Sequence, residues 1–283
     1  MMMMNSDSCS NQNKEEEEED SSENKEIEKI KISLMRTIVE TQDPSSKEVD
    51  DLTLRRFLRA RDLDVEKASS MFLKYLKWRR GFVPNGFISP SELENEIRQN
   101  KMFLQGLDKK GRPVGVLLAG RHFQHKGGVE EFKRTFISCL HSLAFLCLLS
   151  FSLDLFCKFT GFIVYIFDKI FARMPPVQEK FLVIGDLEGW GYANCDIRAY
   201  LAALSLVQDY YPERLGKLFI VHAPYIFMAA WKIVYPFIDV KTRKKIVFVE
   251  KKKLKSTLLE DIDESQLPQA YGGQLPLIPI QHT

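Results

Sequence analysis

The chain has 283 residues, 45% of them hydrophobic, and a formal net charge of +2. That is enough apolar side chain for one large core or two small ones, and the near-neutral balance gives no electrostatic case for nucleic acid as a partner. The five cysteines form no CxxC pair and no ligand spacing, which argues against a disulfide scaffold and for reduced thiols in a cytosolic compartment.

Residues 1–23 are polar and acidic, with a glutamate run at 15–19 and no apolar signal core. They are expected to be a disordered, solvated tail. Ile27, Ile30, Leu34 and Ile38 then recur at helical spacing before Pro44. A second helix is predicted over 47–61. A third follows Asp64, whose side chain suits an N-cap, with Val65, Ala68, Phe72 and Leu76 on one face and Gly81 past its end. Ser89-Pro90 opens a fourth, with proline at its first position. Residues 24–100 thus read as a small all-helical domain.

From Lys101 the apolar period becomes that of strands. Segments 101–107 and 113–119 flank Asp108-Lys109-Lys110-Gly111, a hairpin turn with glycine at the left-handed position. Strands are predicted at 181–186, 218–221 and 246–249, with helices at 197–211 and 225–238 between them. This alternation predicts βαβ units and a mostly parallel sheet flanked by helices, so the fold class is α/β preceded by a helical domain. The α/β domain is expected over 101–276, with a tail at 277–283.

In the helix predicted over 225–238, Lys232 is the only charge before Asp239. A helix apolar all round is buried or faces something other than water, and this one is too short for a bilayer, which needs about 20 apolar residues. Lys241, Arg243, Lys244 and Lys245 follow it. An apolar helix beside a basic loop suits a ligand with a greasy body and an anionic head. A core helix beside a solvated loop is the plain alternative.

The stretch YYPERLGKLFIVHAPYIFMAAWKIVYPFIDVKTRKKIVFV closely resembles the signature of the CRAL-TRIO lipid-binding family, and more narrowly its phosphatidylinositol transfer protein-like branch. The resemblance runs from about Asp50 to Pro276. It implies a hydrophobic pocket closed by a gate helix, with Tyr225, Phe227, Met228, Trp231, Val234 and Phe237, together with Phe181 and Val183, lining gate and acyl-chain pocket. It places the lipid headgroup at Arg61 in FLRARDLD, at Glu213 and Arg214 in YYPERLGK, and at Lys245 closing VKTRKK. A guanidinium and an ammonium suit a phosphodiester, and a carboxylate accepts hydrogen bonds from ring hydroxyls. Taken singly, each of these residues also reads as ordinary solvated surface.

Two departures from the family pattern matter. Asp62 stands where phosphatidylinositol binders often carry a second basic residue. Phe181 and Val183 stand where relatives place hydroxyl side chains that hold a phosphatidylcholine head, so choline-lipid binding is expected to be weak.

The segment 135–161 interrupts the pattern. It is rich in Leu, Phe, Ser and Cys, and members of the family run almost directly across it. Joining Arg134 to Phe162 brings Val129, Phe132, Ile163, Phe167, Ile170 and Met174 to helical spacing, as one amphipathic helix. Three readings are open: a transmembrane helix, which would split one sheet across a membrane; an inserted helical hairpin or loop; and translated intron sequence, the reading favoured here.

Nothing reads as catalytic. His122 and His125 form HxxH without a third ligand nearby, Ser205 lacks a glycine-flanked elbow, and Gly189-Trp190-Gly191 is too short for a dinucleotide fingerprint. The expected function is phospholipid binding and intermembrane transfer, with phosphatidylinositol or a related anionic phospholipid as cargo, in phosphoinositide signalling or vesicle trafficking. A lipid-sensing scaffold acting through a protein partner is the alternative. The chain is expected to be no enzyme, with no metal and no cofactor beyond bound phospholipid. Its expected partners are phospholipid and a transiently contacted membrane surface, not nucleic acid. It is expected to be a cytoplasmic, peripherally membrane-associated monomer.

Overall fold

The computed structural model describes the backbone of residues 7–122 and 153–283, and side chains within 23–122 and 159–283. The chain divides into two compact units, Met1–Trp78 and Arg79–Thr283.

In the first unit α1 spans Asp7–Gln42, followed by a 3-10 turn at Pro44–Glu48, α2 at Asp51–Arg59 and α3, which starts at Val65 and ends at Phe82. Residues 7–23 are helical backbone, not the disordered tail expected from composition. Glutamate and lysine are good helix formers, and lengthening an existing helix avoids the cost of a new nucleus. The buried stripe of α1 is Ile32, Met35 and Val39, whereas Ile27, Ile30 and Leu34 are exposed. Both sets share the 3.6-residue period, so spacing alone could not select the inner one. Met35 and Val39 pack with Leu54, Phe57, Leu58, Ala68 and Phe72, and the rings of Phe57 and Phe72 meet edge-on at 5.0 Å. Each fully buried side chain of this size contributes roughly 1.5–3 kcal/mol. Asp64 caps α3 by accepting a hydrogen bond from the Lys67 N–H at 3.0 Å. Gly81 lies inside the last turn of α3, not beyond it.

The second unit opens with a capping box of Ser89 and Glu92 at the 3-10 turn Pro90–Leu93, then α4 at Glu94–Arg98. The units divide before this helix instead of at residue 100. Leu93 is buried and reaches α5 (Leu153–Ala172), where a Cβ placed on Gly161 would lie 3.3 Å from it. The last nine residues of the interrupting segment 135–161 therefore form the start of α5, and Thr160 and Phe162 are both buried. The rest of that segment, with Val129 and Phe132, lies outside the described residues.

Five strands pair in the order β1-β2-β3-β4-β5. Strands β1 (Met102–Leu107) and β2 (Pro113–Leu118) form the predicted antiparallel hairpin, with Gly111 at φ 72 in its turn. Strands β3 (Phe181–Asp186), β4 (Leu215–Val221) and β5 (Ile246–Phe248) continue in parallel. On one face, Val114, Val116, Leu182, Ile184, Phe219 and Val221 are packed by Leu258 of α9 (Leu254–Asp261) and by Ile262 and Leu267. Elsewhere Ile220 packs with Ile197 of α6 (Ile197–Tyr210), Trp190 and Ala230 of α7 (Phe227–Val234). Side-chain alternation along β3 puts Val183 on the face opposite Leu182 and Ile184.

Candidate functional site

Parallel strands start at one edge of a sheet, so residues far apart in sequence meet there. Lys180 immediately precedes β3, Glu213 lies two residues before β4, and Lys245 immediately precedes β5. Their side chains converge: the Lys245 ammonium lies 3.3 Å from Glu213 Oε2, and the Lys180 ammonium 3.7 Å from the same oxygen.

Local structure explains the placement. Glu213 leaves α6 through a left-handed residue, φ 57, a conformation uncommon for a side chain larger than glycine and sustained only by its surroundings. The chain is then clamped to β3, where the Phe181 N–H donates to the Arg214 carbonyl at 3.0 Å. Lys245 lies two residues past the short α8 (Val240–Arg243), which Asp239 caps by accepting from the Thr242 N–H at 2.8 Å. The Lys245 carbonyl in turn accepts from the Leu218 N–H at 2.8 Å. Glu213 and Lys245 are about one-fifth exposed, and Lys180 about two-fifths. A partly exposed ion pair contributes on the order of 1 kcal/mol at most, so a competing anion or hydroxyl can replace either partner at small cost.

Of the expected headgroup set, Glu213 and Lys245 lie together within the second unit. The Arg214 guanidinium stacks 4.1 Å from the Phe171 ring and donates to the Glu179 carbonyl at 3.1 Å. These contacts give it a packing role that its place next to Glu213 in sequence did not signal. Arg61 belongs to the first unit, in the turn after α2 where Asp62 and Leu63 both take positive φ, and it donates to the Ala60 carbonyl at 3.1 Å. In the basic loop, Arg243 is held structurally, donating to the carbonyls of Ile238 and Pro236 at 2.7 and 3.1 Å.

The apolar helix is shorter than predicted, with α7 at Phe227–Val234 and a 3-10 turn at Tyr235–Phe237. It is also two-sided. Phe227 meets Trp190 edge-on at 5.3 Å, Trp231 meets Phe248 at 5.1 Å, and Val234 packs with the same cluster. On the other side Tyr225 is 95% exposed and Met228, Tyr235 and Phe237 are exposed as well. Of the lining residues named from the sequence, Phe227, Trp231 and Val234 are thus inner, whereas Tyr225, Met228 and Phe237 are outer. Phe181 is buried beside Phe167 and Phe171, with centroids at 5.5 and 6.4 Å.

At the opposite edge of the sheet lies a cluster that no sequence signal marked. Asp186, ending β3, accepts from the Glu188 N–H, from His222 Nδ1 and from the Tyr271 hydroxyl, each at 2.9 Å. Burial, then the Asp186 charge, raises the Tyr271 pKa far above its ordinary value. This clasp ties β3 to the end of β4, where His222 at φ 52 leads into α7. Asp186, Glu188 and His222 hold potential ligand atoms within 4.8 Å of one another, but three donors already account for the buried carboxylate without an ion. Of the HxxH pair, His122 accepts from the buried Lys101 ammonium at 3.0 Å, and His125 lies outside the described residues.

Comparison with known proteins fits this architecture. Residues 97–273 match the CRAL/TRIO domain and residues 12–74 the CRAL/TRIO N-terminal domain. The chain is 31% identical to a CRAL-TRIO domain-containing protein of Saccharomyces cerevisiae, over 80% of this chain and 71% of that one. It is 30% identical to the Sec14 cytosolic factor of Schizosaccharomyces pombe, over 80% and 75%. It is also 30% identical to a phosphatidylinositol/phosphatidylcholine transfer protein of Arabidopsis thaliana, over 77% of this chain and 38% of that longer one. The crystal structure of Sfh5 superposes with a TM-score of 0.57 at 17% identity, covering 90% of this chain and 93% of the other, a likeness of fold.

Proposed function

The chain belongs to the CRAL/TRIO family, and from that premise we propose that it binds one phospholipid and carries it between membranes. The observation that carries this reading is the Glu213–Lys245 pair, 3.3 Å apart and partly open to solvent, on the same domain as a helix with an exposed apolar side. The ammonium suits a lipid phosphate, and the carboxylate suits ring hydroxyls. Phosphatidylinositol, or a related anionic phospholipid, presents both.

The physical need for a carrier is large. Two acyl chains expose on the order of 30 methylenes, and at about 0.8 kcal/mol each their passage through water costs roughly 25 kcal/mol. A protein interior removes most of that barrier. In this reading α7 is the gate: its inner side covers the chains, and its outer side meets the bilayer as the gate opens. Lys241, Lys244 and Lys251–Lys253 assist docking to anionic lipid, at about 1 kcal/mol per charge near the surface. The protein acts from the cytoplasm as a peripheral membrane visitor, in keeping with relatives named cytosolic factors. Among the described residues no helix is long and apolar enough to cross a membrane. The reading contains no catalytic step, and its place in the cell is phosphoinositide signalling or vesicle trafficking.

The test is transfer of fluorescent phosphatidylinositol from donor to acceptor vesicles. Transfer that scales with protein concentration is expected. Lipid loading without transfer would replace the carrier by a sensor, and no loading at all would overturn the reading.

A further inference from the structure

The headgroup site carries one cation more than its carboxylate can match. Lys180, Glu213 and Lys245 stand in a row at the starts of three neighbouring parallel strands, with the carboxylate on the middle one. Among the described residues both lysines pair with the same atom, Glu213 Oε2, at 3.7 and 3.3 Å. Within this trio, one negative charge shared by two ammoniums leaves about one positive charge over. The excess sits toward solvent, since Lys180 is the most exposed of the three at 41%.

A phosphatidylinositol head has a single charged group, its phosphodiester, which engages one ammonium. We propose that Lys180 takes a second one, so that this site selects an inositol ring bearing a phosphate of its own. The inference rests on the headgroup reading above. A ring phosphate carries a charge of about −1.5 to −2 near neutral pH, and three strong acceptor oxygens can draw the flexible Lys180 ammonium off Glu213. Glu213, released from one partner, keeps Lys245 and accepts from a ring hydroxyl. The shared chemistry is a phosphorylated inositol ring, and the assignment is to the lipid, whose chains the same domain covers.

Native mass spectrometry of lipid-free protein incubated with mixed vesicles, holding phosphatidylinositol and its monophosphate in equal amounts, tests this. The wild type is expected to load the monophosphate about tenfold in preference, the scale of one charged hydrogen bond. Lys180→Ala should abolish the preference, while Lys180→Arg restores most of it. Equal loading of both lipids by the wild type overturns the proposal and leaves the carrier reading intact. Loading of neither lipid fails the carrier reading itself. Equal losses of both lipids in Lys180→Ala make Lys180 a general structural charge and also overturn the proposal. In a calorimetric arm, soluble inositol bisphosphate should bind far more weakly than the lipid. Comparable affinity would reassign the site to a free inositol phosphate.

Discussion

The Lys245 ammonium stands 3.3 Å from the Glu213 carboxylate although 32 residues separate them in the chain. A full βαβ crossover lies between them, so the pair exists only while β4 and β5 lie side by side. It is the shortest route from this fold to a testable chemistry.

Lys245→Ala and Glu213→Ala should each lower phosphatidylinositol loading by about tenfold, as expected for one charged hydrogen bond. Both side chains are partly exposed, so thermal unfolding should be little changed. Loading equal to wild type in both variants, measured by native mass spectrometry, would remove the pair from the site.

Phosphatidylcholine should compete poorly with phosphatidylinositol. Phe181 is packed among Phe167 and Phe171 and Val183 is aliphatic, so neither can hydrogen-bond a buried choline-lipid head, which is penalised without partners. A competition assay in which the two lipids reach comparable occupancy would defeat this expectation.

Phe237→Asp tests the outer side of the gate. Phe237 is 45% exposed, so a carboxylate there is solvated in the free protein and meets apolar surroundings only at a membrane. Vesicle-to-vesicle transfer should drop by about tenfold or more while the melting temperature holds. Undiminished transfer would make this side ordinary surface.

Cys195 should resist alkylation in the native protein. Burial, then the nearby Asp196 charge, pushes its thiol up to about 12, and the thiolate is the reactive form. Because the folded pKa lies above the unfolded value, the folded chain keeps a proton that the unfolded one releases. This contribution to stability is fully present below pH 9 and declines as pH rises from there toward 12. Peptide mass spectrometry after iodoacetamide at pH 8 should find Cys195 modified only once denaturant is added, and rapid native labelling would contradict the burial.

Excision of residues 135–161 should give a more soluble protein with a higher melting temperature and stronger transfer. It removes an apolar stretch that invites aggregation and sets Lys133 and Arg134 where Thr160 and Gly161 stand, with long stems that can carry their charges outward. Messenger RNA sequencing should find the corresponding codons in few transcripts. A lower melting temperature, together with the codons in nearly all transcripts, would establish the start of α5 as a native part of the fold.

Local patterns carried most of the architecture. The strand periods at 101–107, 113–119 and 181–186, the turn glycine Gly111, the Asp64 cap and the Ser89-Pro90 start all depend on residues within a few positions of one another, and each is found in the structure. The family signature named Glu213 and Lys245 together because its order of elements brings them to neighbouring strand starts. What the sequence left undecided are relationships that spacing does not encode. Ile30 with Leu34 and Met35 with Val39 are both spaced as helical neighbours, and only packing shows that the second pair is the buried one. Arg214 follows Glu213 directly, yet its side chain goes to Phe171. Lys180, Asp186, His222 and Tyr271 are unremarked letters in the chain. They acquire partners only where parallel strands align their ends, because hydrogen bonds and ion pairs depend on distances of a few ångströms that the tertiary fold alone sets.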